Sequence, residues 1–497
     1  MIQELDHETC CRAIQTRDAR FDGRLFVGVT STRIYCRPVC GARTPRRENV
    51  RFYRNAAAAQ NAGFRPCLRC RPEISPDLSA WQHAPETLSR ALQLIESGAL
   101  DQGNVAGLAQ QLSFGERQLR RLFQKHLGVS PIAVAQTRRV LLAKQLLHES
   151  RLPMIEVAMA AGFGSVRRFN ETFQSLYGRP PASLRRSRAT PREATGTIDI
   201  RLPYRPPYDW QAQIDFLAAR AIPGVEAVVG NAYWRTINIG PHRGVLRVTH
   251  AANHRLAVQL RLAHLPSLPE VITRIRKIFD LGADPLMIGA HLSEDPHLAR
   301  RVAARPGLRV PGSWDGYELA VRAILGQQIS VSAATALTGK LVARYGEPME
   351  TGSDRPAELS HYFPAAQTLI AADIAALGMP GARAEALRAL AVASSTDPEL
   401  FRLGDSLESS VARLRALRGI GEWTAQYIAM RALREPDAFP AADIGLMRAM
   451  ADADGRRPGP AELLIRAERW RPWRAYAALH LWLSDTHEKA ADARRAA

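Results

Sequence analysis

Four cysteines govern what the start of this chain can become: Cys36 and Cys40 form a C-x3-C pair, and Cys67 and Cys70 a C-x2-C pair. Each pair can place two sulfurs on one ion, and two pairs complete a tetrahedral thiolate site for a single Zn2+. The surrounding text, RIYCRPVCGARTPRRENVRFY followed by GFRPCLRC, is unusually basic for a structural clip. Four thiolates on one Zn2+ carry net negative charge, so Arg33, Arg37, Arg43, Arg46, Arg47, Arg65, Arg69 and Arg71 face an electronegative cluster. The same arginines could equally hold a DNA phosphate. On spacing alone, a knuckle that only supports a fold and a site with chemistry of its own are equally good readings.

The wording of residues 1–78 separates the two. It resembles the N-terminal methyl-phosphotriester repair domain of the Ada family of adaptive-response proteins. The match spans all four cysteines, the lead-in Tyr35 to Pro38, the ENV-x-FY string at Glu48 to Tyr53 and GFRPC at Gly63 to Cys67. The resemblance implies that Cys36 is both ligand and methyl acceptor. The chemistry fits: a thiolate is the nucleophile, and zinc keeps it deprotonated at neutral pH. A methylated phosphate is uncharged and carries an activated methyl group, which in-line attack by sulfur removes. The thioether product does not leave, so the domain acts once. Methylation also lowers the negative charge of the cluster, and DNA affinity should rise because phosphate contacts dominate it.

At 497 residues the chain is too long for one domain, and roughly three or four are expected. Its net charge of +19, from 67 Lys and Arg against 48 Asp and Glu, points to a polyanionic partner. No apolar run approaches the ~20 residues needed to span a bilayer, and the start MIQELDHE does not read as a signal peptide. Cys10 and Cys11, the two cysteines outside the pairs, read as reduced thiols, and the chain is expected in the reducing cytoplasm with no membrane partner.

Between about 84 and 186 the text turns helical. Val105, Leu108, Ala109 and Leu112 make one apolar stripe, Ser113-Phe114-Gly115 a turn, and Glu116 to His126 a second helix with Leu119, Leu122 and Phe123 inward. Arg117, Gln118, Arg120, Arg121 and Lys125 then point outward. The pattern recurs with Ile155, Ala158 and Met159 inward, a turn at Gly162, and Ser165 to Leu176 with Val166, Phe169 and Phe173 inward, which leaves Arg167 and Arg168 on the groove side. Two such units joined by a long helix near Pro131 to Ser150, with the endings HLGVSP and LYGRPPASLRR, resemble the AraC-type DNA-binding domain. Two recognition helices on one rigid connector can enter successive major-groove turns.

Arg186 to Thr197 reads as a polar linker. Strands are expected over Ile198 to Pro203, Val228 to Ile239, Gly244 to Thr249 and Arg255 to Leu262, in a small α/β cap at 198–284. Residues 285–490 are expected to be all-helical. There Leu417 to Ala425 (LRGIGEWTA) sets Gly419 and Gly421 between two apolar-periodic helices, where backbone N–H groups can meet a phosphate at a helix N-terminus. Together with VRAILGQQIS, DIGL and RPWRAYAALHLWL this resembles the helix-hairpin-helix glycosylase superfamily, closest to 3-methyladenine DNA glycosylase II.

That resemblance implies that Asp443 is catalytic and that Trp423, Tyr427 and Trp482 line the base pocket. Lyase-type members carry a lysine after the second glycine; here Glu422-Trp423-Thr424 stands, so a monofunctional hydrolase is expected. A purine alkylated at N3 or N7 departs without a general acid, and the carboxylate stabilises the sugar cation or orients water. An N-cap role for Asp443 is compatible with this. Gln328 stands where the better-known members have the leucine that fills the gap left by the extruded base.

The expected fold is therefore multidomain, mainly α with α+β parts: a small zinc domain with four cysteine ligands, a tandem helix-turn-helix domain, an α/β cap and an all-α helix-hairpin-helix domain. The expected function is repair of alkylated DNA with one Zn2+. Double-stranded DNA is the expected partner, held by Arg43, Arg120, Arg167, Gly419 and Gly421, with RNA polymerase as a further one for a monomeric activator. The competing expectation is a methylation-sensing regulator whose glycosylase-like half is inactive. The chain has no PCHR-type motif, so repair of O6-methylguanine is not expected.

Overall fold

The computed structural model describes residues 6–75, 85–185, 197–350, 355–397, 399–402, 406–452 and 454–483. Residues 186–196 of the expected linker lie outside them. By contacts the chain divides into two compact units: Met1–Tyr204 with Ile239–Gly244 and Ala251–Thr273, and Arg205–Asn238 with Val245–His250 and Arg274–Ala497.

In the first unit, β1 (Phe26–Val29), β2 (Ile34–Cys36), β3 (Val50–Tyr53) and β4 (Arg65–Pro66) form a sheet in the order β3-β1-β2-β4. Side chains alternate across it. Leu25 and Val27 join Cys10, Ala13 and Val50 in one apolar cluster, while Phe26 joins Tyr35, Ala59 and Phe64 in another. Gly28 is required: a Cβ there would lie 2.9 Å from the Tyr53 ring and 3.0 Å from Phe64.

The tandem helices form where the apolar stripes predicted them, with caps that the stripes did not reveal. Asn104, Ser130 and Ser165 cap the helices Val105–Gln111, Pro131–Glu149 and Val166–Tyr177, and Glu116–Leu127 ends at Gly128 in the left-handed region. Leu119, Phe123, Phe169 and Phe173 are fully buried. One expectation fails: Ile155 and Met159 point outward, at 55% and 47% exposure, while Val157, Ala158, Ala160 and Ala161 are buried. The inward face of the short helix Met154–Ala160 is made by Val157 and small alanines in place of the larger Ile155 and Met159. The turn at Gly162 is tight, since a Cβ would fall 2.2 Å from a carboxylate oxygen of Asp101.

The long helix Pro131–Glu149 is the spine of this unit. Lys144 Nζ donates to the Cys67 carbonyl at 2.6 Å and to Glu73 at 2.7 Å, and Arg71 bridges Glu73 and Glu149 at 2.9 and 2.7 Å. Gln145 donates to the Arg201 carbonyl (2.9 Å), and the Arg201 N–H donates to Glu149 (3.0 Å). These two bonds satisfy main-chain groups of an edge strand that would otherwise template further pairing.

That strand belongs to a five-stranded sheet of β5 (Thr197–Pro203), β6 (Glu226–Val229), β7 (Ala232–Ile239), β8 (His242–Ala251) and β9 (Arg255–Leu262), in the order β5-β9-β8-β7-β6. The single strand expected over Val228 to Ile239 is two, because Gly230 turns at φ +60° and reverses the chain into an antiparallel pair.

The second unit is mainly helical, around a core that includes Leu325, Leu387, Ile428, Leu446 and Trp470. Within it a buried ion network anchors β6 and β7. Arg235 bonds Glu318 at 2.7 Å, Arg322 bonds Glu226 at 3.0 Å, and the Tyr233 hydroxyl donates to Glu226 at 2.5 Å. No helix among the described residues is long and apolar enough to cross a membrane.

Candidate metal centre and candidate active site

β2 and β4 run parallel, with Tyr35 opposite Pro66, so the residues that follow these partners, Cys36 and Cys67, come side by side. The Cys67 N–H donates to the Tyr35 carbonyl at 3.0 Å, and a turn closed by Cys40 N–H to the Arg37 carbonyl (3.1 Å) brings Cys40 back. All four sulfurs lie within 4.8 Å of one another. Tetrahedral Zn2+ with bonds of about 2.3 Å needs sulfurs about 3.8 Å apart, so the set fits that ion.

The electrostatics agree. Each thiol has the other three sulfurs as close polar neighbours. Sulfurs so crowded cannot all ionise without a cation among them, and a divalent ion meets that need.

The four are not equivalent. The Arg37 N–H donates to Cys70 Sγ and the Arg69 N–H to Cys67 Sγ, each at 3.3 Å, and the Ala42 N–H favours the Cys40 thiolate. Among the described residues no backbone N–H is directed at Cys36 Sγ, and Cys36 is partly exposed while Cys67 is buried.

The arginines around this centre divide as the sequence does not reveal. Arg37 is engaged by Asp22 and by the Cys70 carbonyl, Arg71 by Glu73 and Glu149, Arg47 by Glu8 (2.8 Å), and Arg46 lies 3.7 Å from Glu48. Arg65 lies over the Tyr177 ring. Arg33, Arg43 and Arg69 are exposed and form no ion pair among the described residues. On the two candidate recognition helices Arg120 and Arg167 are exposed, and each pairs with a glutamate one turn away, Glu116 (2.6 Å) and Glu171 (2.8 Å). Such exposed pairs are weak, and a phosphate can replace the glutamate.

The second site is built on a hairpin. The helices Leu407–Arg415 and Glu422–Ile428 are joined by a turn in which Gly419 has φ +82° and Gly421 is the N-cap of the second. A Cβ on Gly419 would fall 2.4 Å from Ala386 Cβ, so the turn also packs too closely for any side chain. One turn apart in the second helix, Trp423 and Tyr427 share a face, their rings parallel within 9° and 5.2 Å apart.

Asp443 caps the helix Ile444–Ala449, its Oδ1 accepting from the Leu446 N–H at 3.0 Å. The same oxygen accepts from Trp482 Nε1 (2.8 Å), and Oδ2 accepts from Trp423 Nε1 (2.9 Å). Gly445 leaves room for this, since a Cβ would meet Asp443 Oδ1 at 3.0 Å and the Trp482 ring at 3.3 Å. The carboxylate is thus fixed by three neutral donors, and no cation pairs with it among the described residues.

Behind the aromatic face Arg431 donates to the Tyr427 hydroxyl at 2.5 Å and to the carbonyls of Pro311 (2.8 Å) and Gly312 (3.1 Å). Burial pushes the Tyr427 hydroxyl up, but Arg431, Arg220 and Arg322 outweigh it and leave it below the usual tyrosine value. Sequence reasoning missed Arg431; its i+4 spacing from Tyr427 was the available signal. Gln328 sits exposed in the loop after the helix Gly316–Leu325, with φ +59°.

Four segments of the chain match known domain families. Residues 9–73 match the metal binding domain of Ada and 108–187 a helix-turn-helix domain. Residues 199–315 match the AlkA N-terminal domain and 321–475 the HhH-GPD superfamily of base excision DNA repair proteins. A probable bifunctional transcriptional activator/DNA repair enzyme AlkA of Mycobacterium tuberculosis is 43% identical over 487 residues, 97% of either chain. DNA-3-methyladenine glycosylase 2 of Escherichia coli is 39% identical over 57% of this chain and 96% of its own. The fold of 3-methyladenine DNA-glycosylase from Archaeoglobus fulgidus overlaps 57% of this chain and 98% of its own at TM-score 0.51 and 22% identity, a likeness of fold alone. An Ada-type zinc domain and an AraC-type helix-turn-helix regulator are here fused to a base-excision DNA glycosylase, and the chain belongs to the family of bifunctional transcriptional activator/DNA repair enzymes of the AlkA type.

Proposed function

We propose that this chain repairs alkylated DNA by two chemistries in separate modules: hydrolytic release of alkylated purines such as 3-methyladenine, and one-time transfer of a methyl group from a DNA phosphotriester to Cys36. The observation that carries the first is Asp443, fixed by two indole N–H groups and a backbone N–H with no cation beside it among the described residues. Its charge stays available to a sugar that turns cationic as the base departs. Trp423, Tyr427 and Trp482 form the base pocket, where an electron-rich ring face attracts an alkylated, positively charged purine by ~0.5–2 kcal/mol. The hairpin at Gly419 and Gly421 holds the DNA backbone, and Gln328 fills the gap in the duplex. With no lysine in Glu422-Trp423-Thr424 the product is an abasic site in an unbroken strand. The names carried by the relatives support this substrate class.

In the zinc module Cys36, Cys40, Cys67 and Cys70 hold one Zn2+, which supplies the positive charge that keeps them deprotonated. Cys36 is the acceptor because, unlike the other three, its sulfur carries no backbone N–H bond among the described residues to quench its lone pairs. The Cys36 sulfur bonds to the methyl carbon, the carbon–oxygen bond breaks, and an ordinary phosphodiester anion leaves. Arg43, Arg120 and Arg167 contact DNA, RNA polymerase is the further partner, and the protein acts as a monomer in the reducing cytoplasm. The modules run over 1–78, 84–186, 198–284 and 285–490.

Incubating the protein with methylated duplex DNA, then measuring intact mass and released bases, tests both arms. Free 3-methyladenine without strand nicks and one added methyl per chain are the expected results. Release of no base would leave only the methylation-sensing regulator.

A further inference from the structure

The loop that carries Gln328 is tied down in a way the proposed chemistry does not require. Gln328 adopts the left-handed region at φ +59°, where a side chain stays only if its surroundings hold it. Its neighbour Gln327 supplies the hold. The Gln327 carbonyl accepts from Arg383 at 2.7 Å, and its side-chain amide donates to the Gly419 carbonyl at 2.8 Å, with Thr424 Oγ1 at 3.3 Å. Arg383 lies on the helix Gly381–Thr396, and Ala386, one turn further along, is the residue on which Gly419 rests. One helix thus sets both the exposed loop and the hairpin turn, and Gln327 pins the two together.

We propose that Gln327 and Arg383 are positioning residues for base extrusion, a clasp that fixes the distance between the residue entering the duplex and the hairpin that grips the DNA backbone. The proposal rests on the base-excision reading and on Gln328 as the filler. Extrusion needs both contacts at once, since a filler that wanders by about an ångström no longer meets the gap while the backbone is held, and misplacement on that scale can cost about 10²-fold. Gln327 also satisfies the Gly419 carbonyl, so the turn keeps its shape without a water there.

The experiment compares single-turnover excision of 3-methyladenine from a normal duplex with excision of the same lesion placed opposite an abasic site, where no base pair has to be broken. Gln327→Ala and Arg383→Ala should each slow the paired substrate by about 10- to 10²-fold and the unpaired one by less than about threefold. A 2-aminopurine beside the lesion should show a correspondingly weaker fluorescence rise. Arg383→Lys keeps a donor for the Gln327 carbonyl and should recover most of the rate, which separates positioning from a folding defect. Equal losses on both substrates, no loss on either, or failure of Arg383→Lys to recover would overturn the clasp. Gln328→Ala is the control. If it alone loses paired-substrate activity, the clasp falls and the filler stands; if it keeps the parent rate, the filler reading falls as well.

Discussion

Replacing Lys144 by methionine removes the ammonium that bridges the zinc module and the long helix, and the cost follows from the group left behind. Glu73 has a side chain only 1% exposed and keeps Arg71 at 2.9 Å and His148 at 3.6 Å. Burial pushes its carboxyl up, but Lys144, His148 and Arg71 outweigh burial and bring it from 4.5 to about 2. A carboxyl held below its unfolded value contributes stability that is whole above about pH 4.5 and lost as the pH falls towards 2, so at neutral pH all of it is at stake. The shift corresponds to about 3 kcal/mol. That is a ceiling, because burial draws the Lys144 ammonium down in turn and part of the gain is given back. With Arg71 and His148 still present, Lys144→Met should cost about 2–3 kcal/mol and lower the melting midpoint of the N-terminal transition by roughly 5–10 °C. The assay is calorimetry of the zinc-loaded full chain, with Lys144→Met/Glu73→Gln as the control. Neutral groups in both positions should recover at least half of the loss. A single variant that melts with the parent, or a double variant no better than the single, would refute the argument.

Three further outcomes follow from the two sites. Protein purified without chelator should hold one Zn2+ per chain by elemental analysis, and Cys67→Ala should unfold the N-terminal module, as seen by protease sensitivity; absence of stoichiometric metal rules the centre out. After exposure to DNA bearing methyl phosphotriesters, the peptide containing Cys36 should gain about 14 Da, one CH2 for one hydrogen. Label on Cys40 or Cys70 would identify a different acceptor, and Cys36→Ala should leave base release intact. Trp423→Phe keeps an aromatic face but removes the indole donor to Asp443 Oδ2, so it should slow excision by about 10-fold or more while substrate binding changes little; a change confined to binding would show that Trp423 only stacks.

What the sequence made legible was local. The cysteine pairs, the two glycines of the hairpin and the string around Asp443 each sit within a few residues of one another, so their spacing carries their geometry. Non-local pairing was hidden. Lys144 meets the Cys67 carbonyl across 77 positions, and Gln145 and Glu149 cover Arg201 on an edge strand more than fifty positions away. No periodicity announces such bonds. Burial was read well where large side chains set it, as at Phe169 and Phe173, and poorly at Ile155 and Met159, where alanines decided the helix face. The basic text around the cysteines was legible as charge, but not as the division between arginines consumed by Asp22, Glu73 and Glu149 and the exposed Arg33, Arg43 and Arg69. Asp443 was read both as an N-cap and as a catalytic carboxylate; the cap is present, and the two indole donors on the same group give the second role its support.

The most direct test of base excision by this chain is the single-turnover release of 3-methyladenine by Asp443→Asn. The substitution keeps size and one acceptor oxygen, enough for the Leu446 N–H and the Trp482 indole, and removes the charge together with the acceptor for Trp423. The predicted rate is lower by about 10²-fold or more, with affinity for alkylated duplex DNA unchanged because the hairpin and the basic surface are untouched. Release at the parent rate would contradict the assignment of Asp443.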